Sequence, residues 1–404
     1  MSNRARPFSL NSCRHCARQV PTAILATTLL LASCSGGSKP PPERGADSHA
    51  APNGASSLST IDPEKVLNIY LWSSYVEPSV VAGFEKEYGI HVAYDFFDSE
   101  EVLETKLLTG RTNYDVVVPA GSFLERQIKA GVYQKLDKNL LSNWKNLDPE
   151  VLLAMALYDP GNQYAVDYTW LITTDIGYDV SKIKARMADA PVDSWRMLYD
   201  PKVVARFQDC GVSVLDSPVD VISTVLAFLG KDPNSESPED LKLAEQVLLA
   251  IRPFVRLIDS SRYDGALASG EICLALGWSG ALSRGQESAR AAANGAQIAL
   301  SIPKEGTVTA FDVLAIPADA PHPRNASLFI NYLLRPEVAA KDANATRYAT
   351  PVTAAAALVS PELRNNPGVY PPPDVRARLI PLRAKSMQYT RLLTRTWTRF
   401  KTGR

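Results

Sequence analysis

An acid stands where an acid is costly. Residues 311–317 (FDVLAIP) read as an apolar strand, yet Asp312 lies near its start. A buried carboxylate needs a cation or hydrogen-bond donors to offset its lost hydration, so Asp312 is either a cation partner or a capped edge residue. Two loops add a different chemistry. Trp72-Ser73-Ser74-Tyr75 and Pro119-Ala120-Gly121-Ser122 each follow an apolar run, and they offer ring faces and hydroxyls. A third run, residues 272–277, ends on Trp278. There, Gly277-Trp278-Ser279-Gly280-Ala281 lacks the last glycine of a GxSxG nucleophile elbow. The only histidine after Ser279 is His322, between two prolines, where a surface turn is expected. The other histidines are His15, His49 and His91, too few and too scattered for a His-rich zinc site or an imidazole triad. Neither GxGxxG nor GxxxxGK[ST] follows any strand. These residues suit holding a ligand better than converting one, and no metal or cofactor is expected.

The elements needed to position them are legible in the same stretch. Residues 66–72 (VLNIYLW) read as a buried strand, and Pro78 opens a helix carrying Val80, Val81, Phe84 and Tyr88 to a stop at Gly89. Ile90, Val92, Tyr94 and Phe96 alternate as a second strand. Asp98-Ser99-Glu100-Glu101 has capping-box spacing, with Val102, Leu103, Leu107 and Leu108 as the helical stripe behind it. Residues 114–119 (YDVVVP) give a third strand. This βαβαβ order implies a parallel sheet covered on both faces, with ligands bound beyond the carboxyl ends of its strands. A second α/β region follows, with strands expected at 171–178, 212–216, 272–278 and 311–317. Trp170 and Trp195 read as structural, and the last helix is expected to pack through Leu392, Leu393, Trp397 and Phe400.

The first residues read as an address. Arg4, Arg6, Arg14 and Arg18 precede the apolar run 21–31, which is too short to span a bilayer, and Leu31-Ala32-Ser33-Cys34 closes it. That is the pattern of an export signal cut before a lipidated Cys34, a plain signal peptide being the alternative. Cys13 and Cys16 fall inside this charged leader. The Gly-, Ser- and Pro-rich stretch that follows lacks apolar periodicity and reads as a tether. The whole chain balances 43 basic against 43 acidic residues. Without the four leader arginines and the nine basic residues of 375–404, residues 34–374 carry a net charge of −13. An acidic body favours a cationic small ligand and argues against nucleic acid. Cys210 and Cys273 remain in the body, where an oxidising compartment lets them pair; two buried thiols are the alternative.

The segments IYLWSSYVEP, YDVVVPAGSFLERQ, KNLDPE, APVDSW, GKDPNS, ICLALGWSG, SIPKEG, FDVLAIPADA, NYLLRPEV, NPGVYPP and TRTWTRFKTGR resemble, in this order, the bacterial periplasmic polyamine-binding proteins, most nearly the putrescine-binding members. The resemblance runs from about residue 66 to the carboxyl terminus. It implies an α/β, two-lobe (type II) solute-binding fold, each lobe a mixed sheet flanked by helices and joined by hinge strands. It implies a leader at 1–33, a tether at 34–65, one lobe from 66–170 and 293–349, and another from 171–292 and 350–404. Crossovers fall near 170–176, 290–312 and 348–352. The implied partners are a cationic, polyamine-like molecule, the permease of an ABC importer, and a membrane reached through a lipid on Cys34. The implied location is the periplasm, as a lipid-anchored monomer without enzymatic activity or nucleic-acid binding. A sensor for a signalling partner and a diverged copy with altered or lost amine specificity are the alternatives.

By this resemblance the ligand-contacting residues are Trp72, Ser73, Tyr75, Ser122, Asp220, Trp278, Asp312 and Tyr348, and Cys210 and Cys273 form the family disulfide. Each has a plainer reading: Trp72 and Trp278 as core aromatics, Asp220 as a helix cap, Tyr348 as hinge packing. The departures are Ser74, Ala120, Ala281 and Ala310, which stand where putrescine binders usually carry an aspartate, a serine, an acid and an aromatic. Specificity for putrescine is therefore not carried over.

Overall fold

A computed structural model describes residues 61–97 and 99–403. The leader, Cys13, Cys16, Cys34, His49 and the tether to residue 60 lie outside the described residues. Ten strands form one sheet system: β1 Val66–Trp72, β2 His91–Phe97, β3 Val116–Val117, β4 Ala165–Asp179, β5 Val212–Val214, β6 Leu257–Ile258, β7 Leu274–Trp278, β8 Ile298–Ser301, β9 Thr307–Ala315 and β10 Leu379–Pro381. The order is β2-β1-β3-β9-β4-β7-β5-β6, with β10 on β9 and β8 on β4. β2, β1 and β3 run parallel, as do β7, β5 and β6. The expected parallel start is thus present.

The sheet has two halves because two long antiparallel strands cross between them. β4 and β9 pair from Ala165↔Ala315 to Thr173↔Thr309, and β4 then continues to pair with β7 and β8. The register shifts twice between Asp167 and Ile172, and Leu171 within that stretch has φ 50°. A branched residue in the left-handed region is strained, and such bulges concentrate where a strand must turn. A short third contact lies alongside, the bridges Trp170↔Ala349 and Leu147↔Val352.

In the first half, alternation along β1 sends Leu67, Ile69 and Leu71 into one core and Tyr70 into a second core on the opposite sheet face. The helix Pro78–Tyr88 buries Val80, Val81 and Phe84 and ends on Gly89 at φ 64°. The second half has its own core around Trp195, Phe207, Leu226 and Leu274, sealed by the last helix, Met387–Thr402, through Leu393, Trp397 and Phe400. The Trp195 ring is fully buried and its Nε1–H donates to the Gly306 carbonyl at 2.8 Å. Cys210 and Cys273 are disulfide-bonded, with Cα atoms 5.5 Å apart.

Several expectations are corrected. The tether ends before residue 65: Asp62 caps the helix Pro323–Leu333 by accepting from the Arg324 and Asn325 N–H groups, and Glu64 meets His322. Residues 350–370 pack in the first half rather than the second, because the chain returns there after the Trp170↔Ala349 bridge and buries Val352, Ala355, Val359, Leu363 and Val369. Ile298 joins the second half's core instead of the first, since β8 pairs with the far end of β4. His322 is a buried residue, not a surface turn. Its N–H and ring bind the Asp115 carboxylate at 2.6 and 3.0 Å. Tyr94 and Phe96 are exposed, because β2 is an edge strand whose inward side chains are Val92 and Phe97. In the helix Glu100–Thr109 the buried stripe narrows to Leu103 and Leu107, and Val102 and Leu108 face outward.

Candidate ligand-binding site

The site is assembled where strands stop. β1 ends at Trp72; Ser73 is exposed on the turn, Ser74 takes φ 57°, and Tyr75 turns back into the protein. β7 ends at Trp278, from which the helix Ser279–Ala292 departs. Asp220 lies in the first turn of the helix Pro218–Phe228, behind its flanking residue Ser217. Ser122 lies in the first turn of the helix Gly121–Lys129. Tyr348 follows Arg347, whose φ of 67° ends the helix Pro336–Thr346. Asp312 sits inside β9, opposite Thr169 on one side and bridged to Ala120 on the other. It is therefore a mid-sheet acid, not a capped edge residue.

All eight expected residues line a single cavity of about 750 Å³. The two indoles meet across it edge to face, with centroids 5.9 Å apart. Trp72 packs against both cores of the first half, and Trp278 touches the cores of both halves. Tyr348 stacks obliquely on Tyr75 at 5.2 Å. Its ring also lies against Gly280, where an added Cβ would come within 2.4 Å of it. The glycine of the failed elbow motif thus makes room for an aromatic.

The cavity has two acidic poles. At the first, Tyr75 donates its hydroxyl to Asp312 Oδ2 and also meets Thr169 Oγ1 at 2.8 Å. Burial drives the Asp312 carboxyl up to about 7; the Tyr75 hydrogen bond works the other way, and the negative charge of Asp220 adds to the rise. At the second pole, Asp220 Oδ1 accepts from Thr174 Oγ1 at 2.9 Å and from Trp278 Nε1 at 3.3 Å, and Oδ2 accepts from Ser217 Oγ at 2.6 Å. These donors are all neutral. Among the described residues neither Asp312 nor Asp220 has a salt-bridge partner, whereas the lining acids Asp216, Asp259 and Asp264 are paired with Lys401, Arg262 and Arg284. Two desolvated carboxylates held by neutral donors, between indole faces, can accept an organic cation at each end and its methylenes between. No group of three or more metal-ligating side chains occurs among the described residues.

Sequence reasoning missed several lining residues, notably Phe97, Glu100, Tyr263, Asp264 and Arg284. Phe97 is the last residue of β2 and Glu100 follows it by three, so the crevice rule that singled out the other strand ends would have found them. The capping-box spacing gives Glu100 a local role that hides its place in the cavity. Arg284 lies one helical turn beyond Ala281, donates to the Thr346 carbonyl at 3.0 Å, and sits 5.8 Å from the Tyr348 ring. Nothing in its local sequence marks it.

Residues 79–371 match the family model described as bacterial extracellular solute-binding protein. The chain belongs to that family. Among solute-binding proteins it is 50% identical, over 87% of its own length and 95% of theirs, to the putrescine-binding periplasmic protein PotF of Escherichia coli. It is 42% identical to the putrescine/agmatine-binding protein of Pseudomonas aeruginosa, over 83% of this chain and 92% of that protein. A putative spermidine/putrescine ABC transporter structure from Listeria monocytogenes superposes with a TM-score of 0.76 at 29% identity, over 84% of this chain and all of the other. Membership fixes the two-lobe α/β architecture and places the chain among binding proteins rather than enzymes. No helix among the described residues is long and apolar enough to cross a membrane.

Proposed function

We propose that this protein is an extracytoplasmic binding protein for a polyamine or related organic cation, which it delivers to an ABC importer. A lipid on Cys34 tethers it to a membrane on the periplasmic side. The two halves act as lobes that close on the ligand by bending β4 and β9. The observation that carries the reading is the pairing of Asp312 and Asp220, each uncompensated by a cation, across a cavity floored by Trp72 and Trp278. The relatives that bind putrescine support the ligand class. The export pattern Leu31-Ala32-Ser33-Cys34 supports the anchor.

A second reading, an amine binder whose preferred ligand is not putrescine, is favoured by Ser74, Ala120, Ala281 and Ala310, which enlarge the site and remove polar partners, and by Arg284, which brings a positive charge to it. Thermal-shift measurements on residues 35–404 with diamines, polyamines, guanidines and amino acids test both. A ligand at a hundred times its dissociation constant stabilises by about 2.7 kcal/mol, several degrees of melting temperature. At least one aliphatic amine or guanidine is expected to score. Silence across the panel would defeat the proposal, and a response to amino acids alone would replace it.

A further inference from the structure

The first acidic pole contains a second carboxylate that neither the resemblance nor the capping pattern assigns. Glu100 is 8% exposed and lines the cavity. Its Oε1 accepts the Ala120 N–H at 2.8 Å, while Oε2 is buried without a partner among the described residues. Ala120 is also the residue whose backbone bridges to Asp312. Glu100 and Asp312 therefore meet the same small residue, close enough for their charges to interact, and each has one carboxylate oxygen engaged by a neutral donor. The charged and titratable groups around the pair are Glu101 and Glu104 on the same helix, Tyr133, Tyr75, Tyr348, Asp167 on β4, and Asp220 across the cavity. All are acids or phenols, and Glu104 is taken by Arg126. Nothing there neutralises Glu100.

A buried oxygen left unsatisfied beside a second carboxylate is costly unless a ligand answers it. A primary ammonium is a compact point charge that one carboxylate and a hydroxyl can satisfy. A guanidinium spreads its donors over a planar fork and can address two carboxylates at once. The methyl side chains at positions 120 and 310 leave room in the cavity for the larger group. Given the proposed function, on which this rests, we infer that Glu100 is a further ligand-contacting carboxylate and that, with Asp312, it selects aliphatic cations ending in a guanidinium over those ending in a primary ammonium.

Titration calorimetry of residues 35–404 with agmatine and with putrescine, which share a four-carbon chain, tests this in the wild type and in Glu100→Gln. The wild type is expected to bind agmatine at least about tenfold more tightly, and E100Q to lose that preference through agmatine. The amide keeps an acceptor for Ala120 and removes a buried charge, so ligand-free E100Q is expected to melt higher than the wild type at pH 8. A group that merely held Ala120 would leave the melting temperature unchanged, because the amide holds Ala120 equally well. Tighter putrescine binding by the wild type would overturn the assignment without any variant. So would E100Q binding agmatine within about threefold of the wild type, and either result leaves the proposed function standing. If the wild type bound neither compound, the functional reading would fall first and this assignment with it.

Discussion

Asp312 is the residue on which proton and ligand compete. Its carboxyl is raised to about 7 from the usual 3.8, chiefly by burial. Between those values the native ligand-free protein holds a proton that the unfolded chain has released. Stability from this group is therefore greatest at low pH and falls as pH rises through about 4 to 7. A cation needs the charged form, so affinity runs the opposite way. It should weaken by about tenfold for each pH unit below 7 and level off above it. Glu100, Asp167 and Asp342 are also raised by burial, so the diagnostic quantity is the difference between the wild type and Asp312→Asn. The asparagine variant should lose about 1.5–3 kcal/mol of binding at pH 8, tenfold to a hundredfold in affinity. Its pH profile of affinity should be flatter. Calorimetry from pH 5.5 to 8.5 measures both, and an equally steep profile in the variant would assign the proton elsewhere.

At the scale of elements, the second half depends on a cross-link as well as on its core. Cys210 follows a short helical turn and Cys273 precedes β7, and 63 residues separate them. Closing a loop of that length restricts the unfolded chain by about 4 kcal/mol in the chain-entropy model. Neither cysteine lines the cavity. The double variant Cys210→Ser, Cys273→Ser should lose about 2–4 kcal/mol of stability in urea yet bind its ligand within about threefold of the wild type. A large loss of affinity with little loss of stability would instead tie the disulfide to the site. Elements such as β1, the helix Pro78–Tyr88 and β7 were legible because their apolar periods and stop signals agree with local chemistry. The site residues on strand ends were legible for the same reason, since the end of a buried strand is visible in sequence. What stayed hidden was set by tertiary partners. His322 is buried only because Asp115 and Glu64 come to meet it. Arg284 reaches the cavity only through the packing of its helix against Tyr348. The return of residues 350–370 to the first half follows from single bridges at Ala349 and Val352, which no periodicity announces.

On the scale of the whole molecule, the acids of the two poles come from opposite halves: Asp312 from β9 beside the first half's cores and Asp220 from a helix in the second half's core. With both ionised and no cation between them, their repulsion opposes approach of the halves, while the Trp72–Trp278 contact favours it. A cation reverses the sign of the polar contribution without altering the aromatic one. Closure is therefore expected to be a balance set by charge, carried by the few residues of β4 and β9 that join the cores. Small-angle scattering at pH 8 should show the ligand-free protein with a larger radius of gyration than the liganded one. Asp312→Asn removes one of the repelling charges, so its ligand-free form should already be more compact than the ligand-free wild type. Adding ligand should change it less. If the variant remained as open as the wild type, repulsion between the poles would not be what holds the halves apart, and strain at Leu171 in the crossing strand would be the next place to look.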